Sequence, residues 1–201
     1  MFQYSQQTYE GVSFGSQDLR YGELAGCTFI RCSFAHGSME EIASVKCRFV
    51  GCDFRGASLN GSVHTESAFE NCNFDGADLF VSKFDRCKMM GSTFSNTVLD
   101  GISILQGDWS YTNLRHAKLA KQDLRGIKFY EADLAGAQLT KADLRDCDLS
   151  MASLAKADLQ GADARGAKMD GVDFKQFAVS GLRMDQEQAV LFSLSHGAKV
   201  G

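Results

Sequence analysis

Seven cysteines, four histidines and one dense run of carboxylates are the side chains of this 201-residue chain with chemistry to offer. The cysteine pairs Cys27 with Cys32 and Cys47 with Cys52 stand five residues apart, which raises thiolate metal ligation, but zinc knuckles use tighter spacing and need matching partners. An odd number of cysteines, no secretory segment and no closely paired metal motif point to a reducing, cytoplasmic setting rather than a disulfide framework. The histidines His36, His64, His116 and His196 do not cluster in sequence. No nucleophile elbow, glycine-rich phosphate loop or zinc-peptidase signature is present. The expectation is a chain that is not an enzyme, with no cofactor, no metal and no small-molecule substrate.

The elements that carry these residues follow an unusual period. Every fifth residue from Tyr4 to Met184 belongs to one register, and 34 of its 37 positions are Phe, Leu, Met, Ile, Val, Tyr or Trp. Two before such a centre there is commonly a small residue, as in Cys52-Asp53-Phe54-Arg55-Gly56 and Ala132-Asp133-Leu134-Ala135-Gly136. Neither the 3.6-residue period of an amphipathic helix nor the two-residue period of a half-buried strand gives this pattern. A fixed short period means stacked units, each burying its apolar face against its neighbours. All seven cysteines, including Cys72, Cys87 and Cys147, fall at the small position shared with Ala57, Ala77 and Ala137, so Cys reads as a small buried hydrophobe.

Like residues recur at twenty: Phe14, Phe34, Phe54, Phe74 and Phe94 in one column, Phe29, Phe49 and Phe69 in another. Four pentads therefore make one coil, and identical side chains stack on successive coils. The weak column contains Ser44, His64 and Ala164, and His64 reads as a satisfied interior imidazole rather than a ligand or base. His36 and His116 share an outer column four coils apart, about 19 Å at the usual strand spacing, too far to share a metal or a proton. Coils about 4.8 Å apart predict a rod on the order of 40 Å long. The absence of proline suits a backbone that needs continuous N–H donors, and glycines cluster at pentad junctions, where tight turns are needed.

The predicted organisation is a β-helix over residues 1–184 and a C-terminal helix with tail over 185–201. Asp185 is placed to cap that helix and Gly197 to stop it. Val190, Leu191 and Leu194 lie close on one face, available for capping the last coil, for docking a second copy, or for both. At the other end Tyr4 and Tyr9 keep the phase in poor pentads, so the first dozen residues either fray or form an imperfect coil.

The formal net charge is −4, and the excess lies in residues 1–100, with 12 acids against 8 bases; residues 101–201 hold 13 of each. No basic block exists for direct nucleic-acid binding, and no apolar run is long enough to cross a bilayer. Glu66, Glu70, Asp75, Asp78 and Asp85 form the densest acidic group, with Lys83 inside it. Asp123, Asp143 and Asp163 repeat at twenty beside Arg125, Arg145 and Arg165, a ladder that reads as internally compensated.

The pentads resemble the pentapeptide-repeat family over roughly residues 12–184. Ser67-Ala68-Phe69-Glu70-Asn71-Cys72-Asn73-Phe74, the Leu124-Arg125-Gly126 turn, and the ending Asp185-Gln186-Glu187-Gln188-Ala189-Val190 with Ser195-His196-Gly197 look most like its DNA gyrase-protecting branch, in particular the loop-free mycobacterial fluoroquinolone-resistance type. The resemblance implies an all-β, right-handed quadrilateral β-helix dimerised through its C-terminal module, a rod imitating B-form DNA in size and charge. It implies binding to DNA gyrase, with topoisomerase IV as a second candidate, and protection from quinolones or a natural topoisomerase poison. The acidic group at 66–85 then becomes the candidate gyrase-facing set, and Val190, Leu191 and Leu194 the candidate dimer contacts. Plasmid-borne relatives carry loops for which this unbroken register leaves no room, so contact would fall to the rod faces or the dimer region. The alternative is a non-catalytic scaffold for another protein.

Overall fold

The computed structural model describes residues 3–201. It is a right-handed quadrilateral β-solenoid with a short C-terminal helix. Its contacts divide it into two compact units, Met1–Asp108 and Trp109–Gly201.

The first unit holds ten short parallel strands: β1 (Gln3–Ser5), β2 (Thr8–Glu10), β3 (Glu23–Ala25), β4 (Thr28–Ile30), β5 (Ala43–Val45), β6 (Arg48–Val50), β7 (Val63–Thr65), β8 (Ala68–Glu70), β9 (Lys83–Lys88) and β10 (Ser103–Asp108). Odd and even strands make separate ladders that meet in β9, with β10 continuing from it, and the ladder partners lie twenty residues apart. The other two sides are made of turns, whose parallel pairs Ser33↔Asp53↔Asn73 and Ser38↔Ser58↔Asp78 keep the same interval. Of the first dozen residues, Gln3–Ser5 and Thr8–Glu10 join this scheme, since β1 pairs with β3 and β2 with β4, while residues 1 and 2 lie outside the described residues. In the second unit four columns of pairs persist, for example Asn113↔Asp133↔Ser153 and Asp123↔Asp143↔Asp163.

Each pentad is built the same way. The centre points inward, its N–H donates to the coil ahead (Phe54 N to Asn73 O, 2.7 Å), and the residue before it donates to the coil behind (Asp53 N to Cys32 O, 3.0 Å). The second residue after the centre commonly adopts a left-handed conformation, which glycine accepts freely and which Gly56, Gly61 and Gly76 supply. Twenty non-glycine residues also adopt positive φ among the described residues, and Val81 (φ 50) is the one β-branched side chain among them.

Inside the first unit Phe14, Phe34, Phe54, Phe74 and Phe94 stack with centroids 4.8–5.0 Å apart. Phe29, Phe49 and Phe69 form a parallel stack beside them, and the two stacks meet edge to face, as at Phe49 and Phe54 (5.6 Å, 67°). Register fixes the stacking distance, while the crossed rings of the neighbouring column give the favourable edge contacts. All seven cysteines are buried and reduced. Their position is not merely small: the Cys52 thiol donates to Phe29 O (3.4 Å) and Cys72 to Phe49 O (3.5 Å), as the Ser82 hydroxyl does to Leu59 O (2.8 Å). Burial pushes the thiols of Cys47 and Cys87 up to about 11 and that of Cys147 to about 12, which keeps the donating proton in place.

His64 lies wholly inside the first unit, between Phe84, on which it stacks, and the edge of Phe69. Its Nδ1 is 2.7 Å from Ser44 Oγ and its Nε2 3.0 Å from Ser62 Oγ, and those hydroxyls run on to Ser67 and Ser82. The partners are all neutral, so burial drives the imidazole pKa down to about 3.

The second unit ends in α1 (Gln186–Ser195), capped by Asp185 through a reciprocal box with Gln188. These two side chains replace a missing coil. Along the solenoid, Asp146 N donates to Arg165 O and Lys168 N to Cys147 O; at the last turn Gly166 N donates to Asp185 Oδ2 (2.7 Å), and the buried Gln188 amide donates to Ala167 O (2.7 Å). A terminal edge that would template another strand is thus partly closed by side chains. Phe192 meets Phe174 edge-on at 6.0 Å.

Two measurements check this interior. Unfolded histidine takes up a proton near pH 6.5 and native His64 does so only near 3, so stability falls with pH across that window, by about 2–3 kcal/mol between pH 6.5 and 4.5. Denaturant titrations should show this slope in the native protein and a flatter one in His64→Leu, where Ser44 and Ser62 retain Ser67 and Ser82 as partners. Gln188→Ala should cost about 1–3 kcal/mol, because it strands the Ala167 carbonyl and the Asp185 N–H.

Candidate protein-binding face

With the interior filled by side chains, contact chemistry belongs to the outward positions. Among the described residues no group of three or more His, Cys, Asp or Glu is arranged to hold a metal. A depression of about 510 Å³ lined by Lys156, Asp158, Lys175 and Phe177 lies open to solvent where the bulky Phe177 occupies a position usually given to a small residue.

The four sides of the first unit differ sharply in charge. The unit carries 13 acids and 8 bases, a net −5. Strands β3, β5, β7, β9 and β10 form a side where Glu23, Glu66 and Asp85 balance Lys46, Lys83 and Arg86. On the side of β2, β4, β6 and β8, Glu10, Glu70 and Asp108 balance Arg31, Arg48 and Lys88. The turn side through Ser33, Asp53 and Asn73 has Asp53 and Asp75 against Arg55. The remaining turn side, stacked through Asp18, Ser38, Ser58, Asp78 and Val98, holds Asp18, Glu40, Glu41, Asp78 and Asp100 against Arg20 alone. Four of the five net charges therefore sit on this one acidic face.

Its single cation is committed. Arg20 grips Asp18 with two hydrogen bonds of 2.8 and 2.6 Å, holding that carboxyl down at about 2. Among the described residues, Glu40, Glu41 and Asp78 have no cation within ion-pair distance, and one Glu40 oxygen is buried without a hydrogen-bond partner. Asp78 instead receives the backbone N–H of Phe80 (2.9 Å).

The acidic group that is dense in sequence is scattered by the fold. Glu66 is bracketed by Lys46 and Arg86, Asp85 also meets Arg86 (3.1 Å), Glu70 meets Arg48 (2.8 Å), and Asp75 accepts from Asn96 (2.9 Å). Only Asp78 of the five stands on the acidic face. Sequence proximity along a chain that turns a corner every five residues separates neighbours; the signal that finds the face is the interval of twenty with its flanks, which joins Glu40, Glu41, Asp78 and Asp100. In the second unit, with 12 acids and 13 bases, the Asp–Arg ladder is compensated as the sequence indicates: Arg125, Arg145 and Arg165 each clasp the aspartate two residues before, and Arg183 adds to Asp163 (3.3 Å). On α1, Val190 and Leu194 are exposed and Leu191 is half-buried.

Comparison with known proteins places this geometry. A family described as pentapeptide repeats matches in eight copies across residues 47–84, 110–146 and 137–176. Two trypsin-treated forms of QnrB1, a plasmid-mediated fluoroquinolone resistance protein, superpose with TM-scores of 0.86 and 0.83 at 19% identity, covering 98% and 100% of this chain and 99% and 100% of theirs. HetL, a pentapeptide repeat protein involved in heterocyst differentiation regulation from the cyanobacterium Nostoc sp. strain PCC 7120, gives 0.55 at 24% identity over 92% of this chain and 90% of its own. These likenesses establish the fold. No curated protein matches the sequence.

The difference in compensation has a direct readout. At low salt Glu41→Lys should raise the melting temperature by about 1–2 °C by relieving like-charge repulsion, and Glu70→Lys should lower it by turning the Arg48 pair into a repulsion; both shifts should shrink in high salt.

Proposed function

We propose that this chain, which belongs to the pentapeptide-repeat family, is a non-catalytic protein that binds DNA gyrase by presenting its acidic face where the enzyme holds DNA, and so protects it from quinolones or a natural topoisomerase poison. The observation that carries the reading is the gathering of uncompensated carboxylates on one side of a rigid, filled coil stack. The solenoid likeness to QnrB1, described as a plasmid-mediated fluoroquinolone resistance protein, supports the link to quinolones. A carboxylate face in fixed register attracts a cationic groove, and electrostatic complementarity speeds encounter and selects the partner.

Within this proposal Asp78, Glu40 and Glu41 are the main contacts. Glu66, Glu70, Asp75 and Asp85 contribute less, being paired or turned to other sides. The helix α1 brings two copies together through Val190 and Leu194, with Leu191 beneath them, and that pairing covers apolar surface that would otherwise face water. The charge density also favours a second reading, a scaffold for a protein with a smaller cationic surface. The acidic face runs four coil steps, about 19 Å, over which duplex DNA carries about 11 charges, against a net −4 here.

A supercoiling assay with gyrase, a quinolone and increasing protein should show restored supercoiling. The triple change Glu40→Lys, Glu41→Lys and Asp78→Lys should weaken gyrase affinity about tenfold or more, the effect of removing some 1.4 kcal/mol. Equal protection by the variant would remove the acidic face from the contact. A pull-down that recovers another protein and neither gyrase subunit would favour the scaffold. For the pairing, Val190→Asp with Leu194→Asp should move the sedimenting species to monomer.

A further inference from the structure

At the upper end of the acidic face stands an apolar group with no interior role. Phe80, Val81 and Val98 are 49%, 51% and 41% exposed. Register places them together: Val98 pairs directly over Asp78, Leu79 N donates to Val98 O, and Val81 N donates to Asp100 O. In its own column Val81 has glycine on both sides, Gly61 in the coil before and Gly101 in the coil after, and its Cγ1 reaches toward the space a Gly101 side chain would fill (2.9 Å). The valine therefore stands clear, with Asp78 and Asp100 flanking Phe80 along the face.

Two features argue that this group meets something. Val81 is held at φ 50, where a β-branched side chain is strained, and among the described residues no other β-branched side chain adopts a positive φ. The fold alone is better served by glycine there. Its surroundings are also one-signed: from Ser58 to Gly101 the outward positions of this face carry Asp78 and Asp100 and no cation. An apolar patch with a carboxylate rim complements a segment that offers an aliphatic side chain between cations, with an arginine able to lie over the Phe80 ring while pairing with the rim.

We infer that Phe80, Val81 and Val98, rimmed by Asp78 and Asp100, form an apolar anchor for a basic protein segment that presents an aliphatic side chain beside arginine. The inference rests on the reading of the acidic face as a protein contact and adds what charge cannot supply. A net −4 imitates DNA poorly over this length, and the anchor contributes affinity that salt does not screen.

The probe is a short synthetic peptide alternating arginine and leucine, titrated into isotopically labelled full-length protein, with arginine–serine and glutamate–leucine peptides as controls. Shifts should centre on Phe80, Val81 and Val98, and the arginine–leucine peptide should bind about tenfold or more tighter than arginine–serine, as burial of leucine implies. Part of its affinity should persist at about 1 M salt, where the screening length is about 3 Å. Phe80→Ser and Val81→Gly should each abolish the preference for leucine, while Val81→Gly holds or raises the melting temperature, which shows that the fold is intact. Shifts on another face, equal affinity for arginine–serine, or unchanged binding by both variants would overturn the anchor. So would a concentration-dependent association of the protein with itself that Phe80→Ser removes. Gyrase affinity, measured in parallel, separates the two readings: no gyrase binding with the peptide mapped to the patch removes the enzyme and leaves the anchor, and gyrase binding untouched by either variant with no peptide mapping does the reverse.

Discussion

A residue in this protein finds its nearest neighbours twenty positions away, because the N–H and C=O groups of one coil bond in register to the coils on either side. That constraint decides nearly everything else. It sets identical rings on top of one another at about the coil spacing, so Phe34, Phe54 and Phe74 are stacked as a consequence of backbone pairing. It also favours a small residue two before each centre. The thiols of Cys32, Cys52, Cys72, Cys87 and Cys147 and the hydroxyl of Ser82 there gain a carbonyl partner on the coil behind, which smallness alone does not explain.

The same register governs the surface. Any side chain outside the barrel belongs to one of four sides, and its electrostatic company is chosen by the coils before and after. Glu66 and Glu70, four residues apart, answer to Lys46 and Arg48 respectively, on different sides. Charges separated by dozens of residues, Glu40 and Asp100 among them, are gathered on one. A contact surface on such a fold can be changed one side at a time without touching the interior. The separation suits a protein that acts by binding, and it makes the carboxylates of Glu40, Glu41 and Asp78 and the strained Val81 legible as departures from the stable choice.

The fold was readable in the sequence because the five-residue period is unlike that of any helix or ordinary strand, and the columns at twenty gave the four-sided coil. His64 was readable as an interior group from its place in the register, and Asp185 as a cap from its type and position. What pentads do not reveal is how the chain closes its end: that Gln188 would turn inward to satisfy Ala167 depends on a side-chain amide substituting for a backbone donor, which no periodicity encodes. The candidate site was only partly readable. Asp78 was found by local acid density, while Glu40, Glu41 and Asp100 needed the coil closed into sides before their grouping became visible, and Phe80 with Val81 resembled ordinary surface residues until their glycine neighbours and backbone conformation were seen.

The account stands on the acidic side of the first unit being the surface that a protein partner covers. Hydrogen–deuterium exchange on the complex with gyrase tests this most directly, because the four sides of each coil are reported by different peptides of the same chain. Protection concentrated at residues 18–21, 38–41, 78–81 and 98–101, with the sides of Glu66 and Glu70 unchanged, is the result the account requires. Protection on those other sides with none on the acidic one would contradict it.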